Sequence, residues 1–251
     1  MKYKFISLLI GLTLITACKK DYHLSRIEGE RLNINDSIKI SESIEAFIKP
    51  YRENVNKNLD SIISYAIDTY SKKDGELNTA IGNLFADGVI QEANPVFNKR
   101  TGQNIDLVLL NHGGIRSIIS KGNISTRTAY EIMPFENSLV VATLNGEQIK
   151  ELITYLKLAK RAHPIAGLNI ILNEDYSLNK ATINGEAIDY SKSYNVLTND
   201  YLFNRGDRMD FFQKRDTVYV LNYKVRNALL DYFKKKDTLN PVIDNRFIRL
   251  Q

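Results

Sequence analysis

The chain has 251 residues, 43% of them hydrophobic and 25% charged, with a formal net charge of +5 and a single cysteine. One cysteine excludes an internal disulfide. So mild a positive surplus gives no footprint of a nucleic-acid partner, while it suits a small anionic ligand or a weak attraction to membranes.

The N-terminus comes first. Lys2 and Lys4 precede an almost wholly apolar run at 5–16, FISLLIGLTLIT. Twelve residues fall short of the about 20 that span a bilayer and suit the core of a signal peptide. The run ends in Ile15-Thr16-Ala17-Cys18, a lipobox in which small residues admit the signal peptidase and the cysteine thiol takes the lipid. Residues 1–17 are therefore expected to be a lipoprotein signal peptide, with Cys18 the lipidation site. The alternative is a buried N-terminal helix with a chance cysteine. Loss of Lys2 and Lys4 lowers the charge to +3. No later apolar run reaches membrane-spanning length, so the expected location is the bacterial cell envelope, at the outer membrane, held by lipid alone.

Residues 18–37 are polar and aperiodic and read as a tether. From Ile44 the apolar residues recur at helical spacing through Phe47, Ile48, Tyr51, Val55, Leu59, Ile62, Ile63, Ala66, Ile67 and Tyr70. That pattern predicts a long amphipathic helix, or two in succession, within 38–75, and Pro50 is a point at which it can kink or split. Residues 76–251 then form the main folded domain. Ile81, Leu84, Phe85, Val89 and Ile90 mark a helix. Strands are predicted at 105–110, 138–144, 168–172, 194–198 and 217–221, and helices from Asn145-Gly146 onward and over 223–233. The Asn184-Gly185 pair inside 182–188 predicts a tight hairpin. Strands and helices in this order imply one α+β (mixed α/β) domain around a mixed sheet.

Asn111-His112-Gly113-Gly114-Ile115-Arg116 follows a buried strand directly. Two glycines let backbone amides approach a ligand closely, Asn111 can donate and accept, and Arg116 offers a fork of donors matched to phosphate. The same residues would also make an ordinary tight turn with a surface arginine.

Residues 111–153, NHGGIRSIISKGNISTRTAYEIMPFENSLVVATLNGEQIKELI, resemble the signature stretch of the 5'-nucleotidase C-terminal domain family. Residues 199–207, NDYLFNRGD, resemble that family's aromatic and Gly-Gly-Asp-Gly loop, and 82–87, GNLFAD, its Gly-Asn-Leu-x-x-Asp helix. The helical segment before them resembles the linker helix between the family's two domains. The resemblance covers roughly 38–247, with the motifs in order. It implies that Phe135 and Tyr201 sandwich a nucleobase, that Asn111 hydrogen-bonds near the base, that Arg116 binds phosphate, and that Asp207 takes the ribose hydroxyls. Gly113 and Gly114 complete the implied substrate-binding set. For Phe135 and Tyr201 the alternative is core packing.

Three departures stand out. Arg205 and Arg208 stand where the family often has glycine and could add phosphate contacts or block the pocket. Leu77 lies where some members carry an arginine, which removes one implied phosphate contact. His112 is expected in a variable, solvated position.

The family's catalytic domain is a two-metal phosphoesterase that needs arrayed His, Asp and Asn ligands. This chain has only His23, His112 and His163, none in such a cluster, and no Gly-x-Ser-x-Gly elbow, phosphate loop or dinucleotide fingerprint. No catalytic residue, metal site or cofactor is expected in this chain. Divalent metals belong to a separate metallophosphatase polypeptide, with which this chain would form a split 5'-nucleotidase or nucleotide-sugar hydrolase acting in nucleotide catabolism. The competing readings are a nucleotide-binding lipoprotein without hydrolytic partner and a structural lipoprotein with a decayed pocket.

Overall fold

The computed structural model describes residues 22–214 and 217–251. The expected signal peptide and Cys18 lie outside those residues. The chain divides into two units, Met1–Lys49 and Pro50–Gln251. In the first, residues 22–34 carry no regular structure and are exposed. Helix α1, Glu42–Leu59, contains Pro50 and has no buried residue. Among the described residues no helix is long and apolar enough to cross a membrane.

The helix predicted to reach Tyr70 stops at Leu59. Strand β1, Ile62–Ala66, takes its place. Its buried residues are Ser64 and Ala66, whereas Ile62 and Tyr65 are exposed. The strand inverts the usual apolar-inward rule, and its isoleucines extended the helical period by coincidence.

The remaining elements are helix α2 (Ala80–Thr101), β2 (Leu107–Leu109), β3 (Gly122–Ser125), α3 (Thr126–Ile132), β4 (Ser138–Asn145), α4 (Gly146–Ala159), β5 (Ile165–Ala166), β6 (Leu168–Leu172), β7 (Leu178–Ile183), β8 (Glu186–Ala187), β9 (Ser193–Asn199), α5 (Asp200–Phe203), β10 (Thr217–Lys224), α6 (Val225–Lys234), β11 (Thr238–Leu239) and β12 (Phe247–Arg249). They form an α+β domain with three sheets rather than one. The central sheet, β10-β4-β9-β2-β5, is mixed: β2 and β9 run parallel and the other pairs are antiparallel. Two smaller sheets, β11-β1-β3 and β12-β6-β7-β8, accompany it.

The inner strands β2, β4 and β9 of the central sheet are buried on both faces, and the period of two along a strand explains how. Leu139 and Val141 of β4, Val108 of β2 and Leu197 of β9 enter one core with α2 and α6. Val140 and Ala142, Leu107 and Leu109, and Val196 enter the other with α4 and β6. Such strands read as continuous apolar runs, as 105–110 and 138–144 do. Phe85, Phe97 and Phe233 on the first side, and Phe212 and Phe247 on the second, are fully buried. Each contributes about 1.5–3 kcal/mol of burial.

Local signals match their elements. Asn145 caps α4 in a reciprocal box with Gln148, which satisfies two otherwise orphaned amides. Asn184 and Gly185, at φ 50° and 84°, close the predicted β7–β8 hairpin as a two-residue turn. The GNLFAD motif serves the fold: Asn83 Nδ2 donates to the Val242 carbonyl at 2.9 Å, and Asp87 accepts two hydrogen bonds from Arg246, at 2.7 and 3.0 Å. Arg246 also holds Asp244 and the Ile165 carbonyl. This one guanidinium therefore ties α2 and β5 to the C-terminal segment.

Candidate functional site

The parallel neighbours β2 and β9 end on the same side of the central sheet, where β4 begins, with Leu139 opposite Asn199. Loops leaving the carboxyl ends of adjacent strands form the usual ligand crevice of such sheets.

After β2 the chain enters a short 3-10 turn, His112–Gly114, with Asn111 at its head and no side-chain cap there. The Asn111 side chain lies against the two glycines. A Cβ on Gly114 would come within 2.9 Å of its Oδ1, and one on Gly113 within 3.4 Å of its Nδ2. The absence of side chains therefore sets where the carboxamide sits. Arg116 anchors its backbone amide to the Ile132 carbonyl at 2.9 Å. Its guanidinium donates to the Gly113 carbonyl at 3.2 Å and stands 5.6 Å over the Phe135 ring.

Phe135 lies between α3 and β4 and is 41% exposed. Its backbone is held from behind by Arg226 of α6, which is 4% exposed and donates to the carbonyls of Met133 and Phe135. Arg226 also pairs with Glu136 and holds that carboxyl below the usual range. Sequence reading missed Arg226, because nothing in the first turn of α6 distinguishes it from a surface arginine.

Tyr201 follows β9 in α5, whose Asn199 cap accepts from the Leu202 amide at 2.9 Å. The ring is 46% exposed. Its hydroxyl donates to Asp207 Oδ1 at 3.0 Å, and that bond, with burial, raises the phenol above its ordinary value. Gly206 backs the ring so closely that an added Cβ would lie 2.5 Å from two ring carbons and from the Tyr201 carbonyl. Tyr155 donates its hydroxyl to the Asp207 carbonyl at 2.9 Å. Arg205, Asp207 and Arg208 adopt φ 72°, 51° and 60°, in the left-handed region that glycine visits freely and other residues at a cost.

These pieces enclose one cavity of about 330 Å³, lined by Asn111, Gly113, Gly114, Arg116, Phe135, Asn137, Tyr201 and Asp207. All seven residues singled out for substrate binding are present. Neither aromatic is core packing. Asn137 is the addition that sequence reading missed; its Nδ2 donates to Asp200 Oδ1 at 3.0 Å. The ring contacts among the described residues involve other aromatics, so Phe135 and Tyr201 do not touch each other. The volume falls within the roughly 300–1,000 Å³ usual for small-molecule sites. The wall is apolar at the rings, cationic at Arg116 and anionic at Asp207.

The departures resolve differently. Arg205 pairs with Asp210 at 2.7 Å, and neither it nor Arg208 lines this cavity. Leu77 is buried in the core. His112 is half-buried rather than solvated: its Nδ1 lies 3.2 Å from the Ala162 carbonyl, and burial lowers its pKa. His163 is buried, which pushes it down to about 4. His23 is exposed, far along the chain from both. Among the described residues no group of three or more His, Cys, Asp and Glu is placed to hold a metal ion.

Protein UshA of Escherichia coli K12 is 33% identical over 147 residues, which cover 56% of this chain and 26% of that protein. Cell wall protein Lmo0130 of Listeria monocytogenes is 26% identical over 244 residues, 91% of this chain and 28% of that protein. The crystal structure of a 5'-nucleotidase precursor from Thermus thermophilus superposes with a TM-score of 0.69 at 22% identity, covering 83% of this chain and 42% of that one. The chain thus spans less than half the length of these relatives. The family profile described as 5'-nucleotidase, C-terminal domain, matches residues 59–214, more than half of the chain, and the protein belongs to that family.

Proposed function

We propose that this chain is the nucleotide-recognition component of a split 5'-nucleotidase or nucleotide-sugar hydrolase. Phe135 and Tyr201 stack on the two faces of the base, which suits recognition tolerant of base identity because every base has a flat π face. Asn111 hydrogen-bonds near the base, Asp207 accepts from the ribose hydroxyls, and Arg116 holds phosphate through charge-assisted bonds. One observation carries the reading: residues from separated segments, each singled out by its sequence motif, line a single cavity of about 330 Å³.

Catalysis and its divalent metals are assigned to another polypeptide, a metallophosphatase. This chain covers only 14% of a trifunctional nucleotide phosphoesterase of Bacillus subtilis, so most of that relative, with room for a catalytic part, lies outside the region they share. The envelope is the proposed location, with Cys18 carrying the lipid at the outer membrane. The Ile15-Thr16-Ala17-Cys18 sequence and the similarity to a cell wall protein both favour it.

The test has two arms. Calorimetric titration of the purified chain with adenosine, AMP and UMP should give saturable binding of all three. Incubated alone with AMP and Mn, Co or Zn, the chain should release no phosphate, whereas addition of the metallophosphatase should give release that Phe135→Ala diminishes. Robust turnover by the chain alone, abolished by a chelator, would overturn the split assignment. Absence of any nucleoside binding would replace it with a structural role.

A further inference from the structure

Tyr201 and Asp207 line the same cavity and are bonded to each other in it. The Tyr201 ring offers a stacking face that a phenylalanine would offer equally. Its hydroxyl does something more: it donates to Asp207 Oδ1 at 3.0 Å. Among the described residues no other side chain donates to that carboxylate, since Tyr155 reaches the Asp207 carbonyl instead.

The turn that carries Asp207 does not depend on this bond. Tyr155 holds the Asp207 carbonyl at 2.9 Å. The Arg208 amide donates to the Arg205 carbonyl at 3.2 Å and the Met209 amide to the Gly206 carbonyl at 3.1 Å. Met209 is fully buried and anchors the far end of the turn. Gly206 lies so close to carbons of the Tyr201 ring that ring and turn are packed together whether or not the hydroxyl is present. The backbone therefore fixes where Asp207 stands.

What the hydroxyl brings to the carboxylate is competition. Two vicinal ribose hydroxyls present two donors to a group that only accepts. A carboxylate has lone pairs for more than two donors, but it has one charge to share among them. If the phenol stays on Oδ1, each bond to the sugar is weaker. If the phenol leaves, the sugar must first replace a charge-assisted bond, for which water compensates the exposed phenol only in part. Both routes subtract from the affinity for ribose. Neither affects a sugar that lacks the two hydroxyls.

We propose that the Tyr201 hydroxyl is a specificity-determining group that competes with the ribose hydroxyls for Asp207. The chain then favours sugars with a vicinal diol less than the same pocket with a bare phenyl ring would. This rests on the proposed seating of base and ribose in the cavity, and it divides Tyr201 into two opposed parts. The ring favours every nucleoside, and the hydroxyl disfavours those that carry the 2' and 3' hydroxyls.

The probes are adenosine and 2',3'-dideoxyadenosine, titrated calorimetrically against the wild-type chain and Tyr201→Phe. The readout is the ratio of the two affinities, in which any change in stacking or in general stability cancels. Tyr201→Phe should raise the preference for adenosine about fivefold. The same substitution is then made beside Asp207→Gly, a change that suits the φ of 51° at this position. There the hydroxyl has nothing to compete for, and the ratio should be the same with or without Tyr201→Phe. An unchanged ratio in the single variant would overturn the competition. A lowered ratio would do so as well, because it would mean that the hydroxyl orients Asp207 for the sugar. A rise that persists beside Asp207→Gly would show that the hydroxyl acts elsewhere, with the same consequence. Failure of both nucleosides to bind the wild-type chain would overturn the cleft itself, and the competition with it.

Discussion

Removal of the Phe135 ring probes two contacts at once, and a double-mutant cycle with Arg116 separates them. The ring is 41% exposed and carries the Arg116 guanidinium at 5.6 Å. Because so much of it is already in water, Phe135→Ala should cost about 1 kcal/mol of stability, less than the full burial value, and the chain stays folded. Loss of one stacking face should weaken adenosine by about 1–3 kcal/mol, roughly fivefold to 150-fold. AMP should lose more, because Arg116 also loses the platform that orients it toward phosphate. An exposed cation–π contact contributes about 0.5–1 kcal/mol, a further two- to fivefold or so. Calorimetric titration of wild type, Phe135→Ala, Arg116→Gln and the double variant should therefore give a coupling of about 0.5–1 kcal/mol for AMP and none for adenosine. Phe135→Leu, which keeps apolar bulk without a π face, should behave like the alanine variant. Unchanged adenosine affinity in Phe135→Ala would refute stacking, and zero coupling for AMP would refute the idea that Phe135 presents Arg116.

Three further outcomes follow from the surrounding structure. Arg246→Ala should cost about 2 kcal/mol, below the full value for a buried pair because the Asp87 and Asp244 side chains are 47% and 37% exposed, and should lower Tm by about 4–8 °C. Burial raises the Asp244 carboxyl, but hydrogen bonds from Arg246 and Asn78 outweigh it and leave the pKa lowered; that stability is present above the ordinary aspartate value and lost on acidification, so the gap between wild type and variant in denaturant titrations should be full at pH 7 and narrow below about pH 4. Arg208→Gly relieves a φ of 60° and should raise the unfolding free energy in denaturant titrations by about 0.5 kcal/mol after the entropy of the unfolded glycine is subtracted, with a smaller gain for Arg205→Gly, which forfeits its ion pair to Asp210; a fall in both would contradict the strain. Gly114→Ala places a methyl 2.9 Å from Asn111 Oδ1 and should weaken adenosine and AMP alike by about fivefold, so that a changed ratio between them would count against Asn111 as a base or sugar contact.

Much of the central sheet was legible because its inner strands are buried on both faces and write themselves as apolar runs. The hairpin at Asn184-Gly185 and the cap at Asn145 were legible because turn and cap chemistry is local. The strand β1 was not: it buries Ser64 and Ala66 and exposes Ile62 and Tyr65, so hydrophobic periodicity pointed the wrong way. Strands β3, β11 and β12, of two to four residues, are too short to set up a period. The cavity is a different case. Nothing local brings Asn111, Phe135 and Tyr201 together, and they were identified through resemblance, while their convergence follows from the parallel pairing of β2 with β9 beside β4. Asn137 escaped notice because a lone asparagine beside a proline-phenylalanine pair carries no pattern, and Arg226 because its partners are backbone carbonyls some 90 residues away in sequence. The GNLFAD motif was recognised by resemblance, and its Asn83 and Asp87 bind the C-terminal segment.

The most direct measurement is a crystal structure of the chain grown with AMP. The expected result places the adenine ring between Phe135 and Tyr201, the ribose hydroxyls within hydrogen-bond distance of Asp207, and the phosphate on Arg116, with the Tyr201–Asp207 hydrogen bond rearranged to admit the sugar. Adenine bound elsewhere on the chain, or a cavity left empty at saturating AMP with that hydrogen bond intact, would contradict nucleotide recognition at this site.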